Sequence, residues 1–181
     1  DTVEELANLE TEADYPHNGL SGLAWHPNGD LIFALGENFW KSWTLTSSDG
    51  QKIEGTGEGG IFRCTPQGES MHRIARGFWN PFGVCVRSDG TIFAAENDPG
   101  ARPPCRLLHV VEGGDYGFQR QYGNAAFHPF VCWDGELRGT LPMLHSLAEA
   151  PCGIAPLGNG LIVPSWTDHR IDFYPLQPDG A

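Results

Sequence analysis

Short apolar runs separated by glycine-bearing turns set the rhythm of this chain. Leu31-Ile-Phe-Ala-Leu35, Ile61-Phe-Arg-Cys64, Ile92-Phe-Ala-Ala95, Leu107-Leu-His-Val-Val111 and Leu161-Ile-Val-Pro164 are too short for helices, and they predict strands. Three of them belong to a longer repeat. Gly22-Leu-Ala-Trp-His-Pro-Asn-Gly29, Gly83-Val-Cys-Val-Arg-Ser-Asp-Gly90 and Gly153-Ile-Ala-Pro-Leu-Gly-Asn-Gly160 each place two glycines seven residues apart. The second glycine of each pair is expected to close an Asn-Gly or Asp-Gly hairpin turn, because that turn needs positive φ. The lead glycines stand 61 and then 70 residues apart.

A further strand-like segment and turn follow each hairpin. Ile61–Cys64 precedes Pro66-Gln-Gly68, Leu107–Val111 precedes Glu112-Gly-Gly114, and Ile171-Asp-Phe-Tyr174 precedes Pro178-Asp-Gly180. A hairpin with one or two outer strands, repeated in series, is a propeller blade. The expected fold class is all-β: a β-propeller of four-stranded antiparallel blades, with residues 1–181 forming one domain of about three blades. Three blades do not close a ring, so the chain is expected to be a sector of a larger propeller. A two-sheet sandwich is the alternative. Helix is expected only as short turns at Val3–Leu9 and Leu144–Ala150.

Composition narrows the function. Eleven basic against 23 acidic residues give a net charge of −12, which disfavours partners that need a cationic field, nucleic acid and anionic membrane surfaces alike. No apolar run reaches the ~20 residues of a membrane span. The five cysteines form no Cys-x-x-Cys pair, so zinc-ribbon and haem-attachment readings fail within this sequence. Cys85 sits in an apolar strand pattern and reads as core; Cys64 and Cys105 could pair in an oxidising compartment.

Several polar residues stand where chemistry is plausible. His17, in Tyr15-Pro-His-Asn18, lies on a loop just ahead of the first repeat, where a near-neutral pKa suits a general base. Glu37 and Glu96 end corresponding strands of two repeats, and paired carboxylates there could hold a cation. Trp25, Trp40, Trp43, Trp133 and Trp166 are expected to pack between blades. No nucleophile elbow, Walker loop or dinucleotide fingerprint is present.

The order of these elements resembles the glucose/sorbosone dehydrogenase family of six-bladed quinoprotein propellers. His17, Leu31–Asn38, Gly60–Arg63, the Trp79-Asn-Pro-Phe-Gly83 loop, Asn97-Asp-Pro99, Gly113-Gly-Asp-Tyr-Gly117 and Val163-Pro-Ser-Trp-Thr167 follow the family's sequence of motifs. Arg102–His109 and Trp133–Leu137 resemble its sorbosone-dehydrogenase-like branch, whose propellers are often joined to a c-type haem domain. The resemblance implies a six-bladed ring of which this chain supplies about three blades. It implies oxidation of a sugar or related alcohol or aldehyde, with His17 as base, pyrroloquinoline quinone as hydride acceptor and calcium as Lewis acid. Asn80, with Trp79, Phe82 and Thr167, would contact the cofactor; Asp98, Pro99 and Glu96 would form the metal loop. A c-type cytochrome domain would accept the electrons, in the periplasm or outside the cell.

The departures from that pattern are specific. Trp79 stands in place of an arginine, Phe82 in place of a glutamine, Thr167 in place of a lysine, and Asp98 in place of a glycine. A tricarboxylate cofactor needs cationic or bidentate partners, and three of these changes remove them. Two other readings therefore stand beside the dehydrogenase: a non-catalytic propeller that binds carbohydrate or a partner domain through Trp79 and Phe82, and a calcium-dependent lactonase.

Overall fold

The structure is a computed structural model; it describes residues 2–14, 19–100, 104–118 and 132–177. His17 and Arg102 lie outside the described residues. In chain order the strands are β1 (Ala7–Thr11), β2 (Leu20–Trp25), β3 (Leu31–Leu35), β4 (Ser42–Ser47), β5 (Lys52–Thr56), β6 (Gly59–Cys64) and β7 (His72–Phe78). There follow β8 (Asn80–Val86), β9 (Ile92–Asn97), β10 (Cys105–Val110), β11 (Gly114–Asp115) and β12 (His145–Leu147). The last three are β13 (Ala155–Leu157), β14 (Gly160–Ser165) and β15 (Arg170–Pro175). There is no helix among the described residues.

The strands form an open, partial propeller. The first blade runs β2-β3-β6-β7 from the inside outwards, with β11 added in parallel on its outer edge. The second is the four-stranded β8-β9-β10-β12, and the third the three-stranded β13-β14-β15. Three blades match the repeat; their strand numbers do not, since the blades hold five, four and three strands. A fourth sheet, β1-β4-β5, is a hairpin inserted between β3 and β6 and joined by the strand nearest the N-terminus. Both expected helical turns are strands instead. The Val3–Leu9 segment leads into β1, paired with β4, and Leu144–Ala150 contains β12, paired with β10. Neither segment has an apolar helical stripe, whereas a neighbouring strand edge satisfies its backbone groups.

Alternation along the strands shows how the blades stack. On β3, Ile32 and Ala34 face the second blade, while Phe33 and Leu35 face the inserted sheet and meet Trp43, Leu45 and Met71. On β9, Ile92 and Ala94 face back towards the first blade, while Phe93 and Ala95 meet Leu161 and Val163 of the third. Both faces are buried, which is why these strands read as unbroken apolar runs.

The lead glycines mark where blades meet. A Cβ on Gly22 of β2 would lie 3.0 Å from the Val84 backbone nitrogen of β8, and one on Gly83 would lie 3.0 Å from the carbonyl carbon of Gly153. Inner strands thus touch backbone to backbone at two successive junctions. The turn glycines follow the expectation in the first two repeats. Gly29 (φ 97°) and Gly90 (φ 88°) close turns in which Gly29 donates to His26 O and Gly90 to Arg87 O. In the third repeat the positive φ belongs to Gly158 (56°), at the first position of a Gly-Asn turn, and Gly160 is already in β14. That turn is therefore Gly-Asn rather than Asn-Gly.

Candidate functional site

A cleft of about 460 Å³ opens between the second and third blades. One wall is Trp79, Asn80 and Phe82 at the start of β8; the floor is the Asn97–Gly100 loop that leaves β9; the far wall is Glu149–Cys152 with Trp166. Strand pairing builds this arrangement. Asn80 and Asn97 are register partners, Asn97 Nδ2 donates to Pro151 O at 3.4 Å, and Pro151 bridges to Ser165 of β14. Asn80 is 7% exposed, and its Oδ1 is buried with no hydrogen-bond partner among the described residues. A buried amide oxygen left unpaired costs about 1–3 kcal/mol, so it calls for a partner, a water or a ligand group.

Glu96, expected in the metal loop, bonds protein donors. It is fully buried, and both carboxylate oxygens are committed. Oε1 accepts from the backbone N–H groups of Trp79 and Asn80, while Oε2 accepts from Arg106 Nε at 2.8 Å and Nη2 at 2.5 Å. Burial pushes the Glu96 carboxyl up, and the guanidinium and the two amide donors oppose it. Arg106 in turn donates to Tyr116 O and Trp133 O and lies 3.6 Å over the Trp133 ring. Glu37, its counterpart in the first blade, is likewise buried and accepts from the N–H groups of Phe39 and Trp40. Both acids accept from backbone N–H groups.

The other expected residues separate into two groups. Phe82, 40% exposed, and Asp98 and Pro99 line the cleft. Trp79 is 8% exposed and mostly core, wedged edge-on between Phe39 and Phe118. Thr167 is exposed in the turn after β14, and its neighbour Trp166 reaches the cleft instead. Of the tryptophans expected to pack between blades, Trp43 is buried between the inserted sheet and the first blade and Trp133 is buried against Phe118 and Arg106, while Trp25, Trp40 and Trp166 are 62%, 40% and 72% exposed. Cys64 and Cys105 are both free and buried.

Glu149 is the residue that sequence reasoning missed. Its carboxylate, the Asp98 carboxylate and the Cys105 sulfur lie within 4.8 Å of one another. Burial, then the charge of Asp98, pushes the Glu149 carboxyl up. Burial pushes the Cys105 thiol up to about 11, against the backbone N–H groups of Asp98 and Ala150, which favour the thiolate. Two carboxylates and an unpaired amide oxygen on one cleft suit a divalent cation. A quinone bearing three carboxylates is served less well, because the described lining holds two acids and no lysine or arginine.

No protein-family profile matches the chain, and no curated protein sequence does. Solved structures do. The PQQ-bound form of aldose sugar dehydrogenase from Streptomyces coelicolor is similar over 93% of this chain and 68% of its own, at 14% identity and a TM-score of 0.53. An oxidoreductase assigned as a glucose dehydrogenase, from Thermus thermophilus, is similar over 91% of this chain and 69% of its own, at 15% identity and a TM-score of 0.55. At such identity the likeness speaks for the backbone alone. In fold, the chain is a partial β-propeller whose backbone is similar to these two structures.

Proposed function

We propose that this chain is the site-bearing part of a quinoprotein-like dehydrogenase that oxidises a sugar or a related alcohol or aldehyde. The observation that carries the reading is the cleft itself: an unpartnered amide oxygen at Asn80, carboxylates at Asp98 and Glu149, and exposed rings at Phe82 and Trp166 converge between two blades of this fold. The rings offer apolar faces to a pyranose, and the carboxylates offer hydrogen-bond acceptors to its hydroxyls. Calcium on the Asp98–Pro99 loop would act as Lewis acid through oxygen ligands. His17 is the proposed base, accepting the hydroxyl proton as the carbon-bound hydrogen leaves as hydride. Pyrroloquinoline quinone, when bound, supplies the hydride acceptor, and its carboxylates call for cations beyond the described lining. A c-type cytochrome domain is the proposed electron acceptor, and the periplasm or exterior the proposed location. No helix among the described residues is long and apolar enough to cross a membrane.

A carbohydrate-binding propeller without redox activity is the second reading, favoured by the aromatic-walled cleft, whose described lining holds no lysine or arginine. The full-length protein, incubated with calcium and pyrroloquinoline quinone, is expected to reduce a dye in the presence of an aldose. Tight glycan binding with no quinone absorbance and no dye reduction would establish the second reading and remove the first.

A further inference from the structure

We infer that Asp98, Glu149 and Cys105 form a side-chain site for a divalent cation of borderline softness, zinc or cadmium, that fills without quinone or sugar. It shares Asp98 with the proposed calcium loop but does not rest on dehydrogenase activity.

The geometry is near that of a three-sided metal site. Zn–S of about 2.3 Å and Zn–O of about 2.1 Å at a tetrahedral angle place sulfur and oxygen ligands about 3.6 Å apart. Cys105 Sγ lies 4.0 Å from Glu149 Oε2, and all three ligand atoms lie within 4.8 Å of one another. Carboxylate movements of about one ångström or less close the set to those bond lengths. The ligands come from three separate segments: the loop after β9, the first residue of β10, and the residue two beyond β12. Chain proximity alone therefore does not explain their meeting.

A second observation concerns the same cleft. Asn80, more than nine-tenths buried, forms part of the wall of the cleft that Asp98 and Glu149 also line, and its Oδ1 has no partner among the described residues. Three protein ligands leave a fourth position open to a water from the cleft.

The thiol decides the kind of metal. Two carboxylates alone suit calcium or magnesium, whereas a sulfur ligand selects zinc or cadmium. On binding, the Cys105 thiol releases its proton to solvent and the thiolate bonds to the metal, so uptake is coupled to proton release and strengthens as pH rises. Because Asp98 belongs to both ligand sets, zinc and calcium exclude each other here.

The test is cadmium titration of the full chain, without quinone or sugar, followed by the ultraviolet thiolate-to-cadmium charge-transfer band, with zinc binding measured by calorimetry. One equivalent is expected to bind and to raise the band. C105S should abolish the band, and D98N and E149Q should each weaken zinc at least about 10-fold. Circular dichroism of each apo variant identifies any that fails to fold, and the carboxylate variants then decide independently of C105S. A band that survives C105S, or zinc affinity indifferent to both D98N and E149Q in folded protein, overturns the site. Dye-linked sugar oxidation measured separately with quinone and calcium tests the dehydrogenase, and either result can fail without the other.

Discussion

Glu96 and Arg106 are register partners on β9 and β10, both wholly buried, with Arg106 Nη2 2.5 Å from Glu96 Oε2. The pair joins more than two strands. Through Glu96 it fixes the backbone N–H groups of Trp79 and Asn80, and through Arg106 the carbonyls of Tyr116 and Trp133. It therefore holds the wall of the cleft from behind.

Breaking that pair leaves a buried charge alone, which costs about 3–5 kcal/mol. R106M should lower stability by that amount in urea unfolding. R73M, which loses a partly exposed partner in Glu58 at 2.9 Å, should lower it by about 1 kcal/mol or less. Equal losses in the two variants would refute the role given to Arg106.

The junction at Gly83 makes a steric prediction. A methyl group there meets the Gly153 backbone at 3.0 Å, so G83A should cost about 1–3 kcal/mol and shift the thermal midpoint down. At Gly19 a Cβ would meet nothing within 4 Å, and G19A should fall within about 0.5 kcal/mol of the parent.

Glu136 gives the chain an acid-sensitive clamp. Burial works against its ionisation, but the N–H groups of Asp134 and Trp133 and the Cys132 thiol outweigh it and bring the carboxyl down to about 2. A carboxyl depressed in the folded state stabilises above its unfolded pKa, and that contribution is lost as pH falls towards the folded value. Stability should therefore drop between about pH 4.5 and pH 2. E136Q should flatten this limb of the urea-midpoint profile while lowering stability at neutral pH.

Trp166 is exposed at the cleft, and its ring is the proposed platform for a sugar. W166A should weaken aldose binding by about 0.5–1.5 kcal/mol, up to roughly tenfold, in calorimetry. Unaltered affinity would mean that sugar binds elsewhere.

His17 is the proposed base. H17N should reduce turnover by about 10²–10⁴-fold and leave aldose binding in place, since a base acts on the proton in flight and not on docking. Full turnover in H17N would end its candidacy.

What the sequence made legible was mostly backbone demand. Gly29 and Gly90 announced their turns because only positive φ closes them, and the apolar runs of β3 and β9 announced strands buried on both faces. The left-handed glycine of the third turn was misplaced by two residues because Gly158 and Gly160 flank one asparagine, and glycine content does not say which of them takes the left-handed conformation. The β4–β5 hairpin did carry a signal: Trp43, Leu45 and Ser47 are buried alternately with half-exposed or exposed neighbours. The candidate site was less readable. Asp98 stood in a recognisable loop, but Glu149 lies far along the chain in no motif, and only the pairing of β12 with β10 brings it near. Arg106 was visible as a charge inside an apolar run, a pattern that demands a buried partner. Which acid answers it depends on the register of β9 against β10.

Gly83 and Gly153 have one more implication, for selectivity. They set main chain against main chain between the second and third blades, leaving no room there for a side chain to wedge the two apart. Under the proposed dehydrogenase reading, sugars wider than the cleft should therefore be poor ligands.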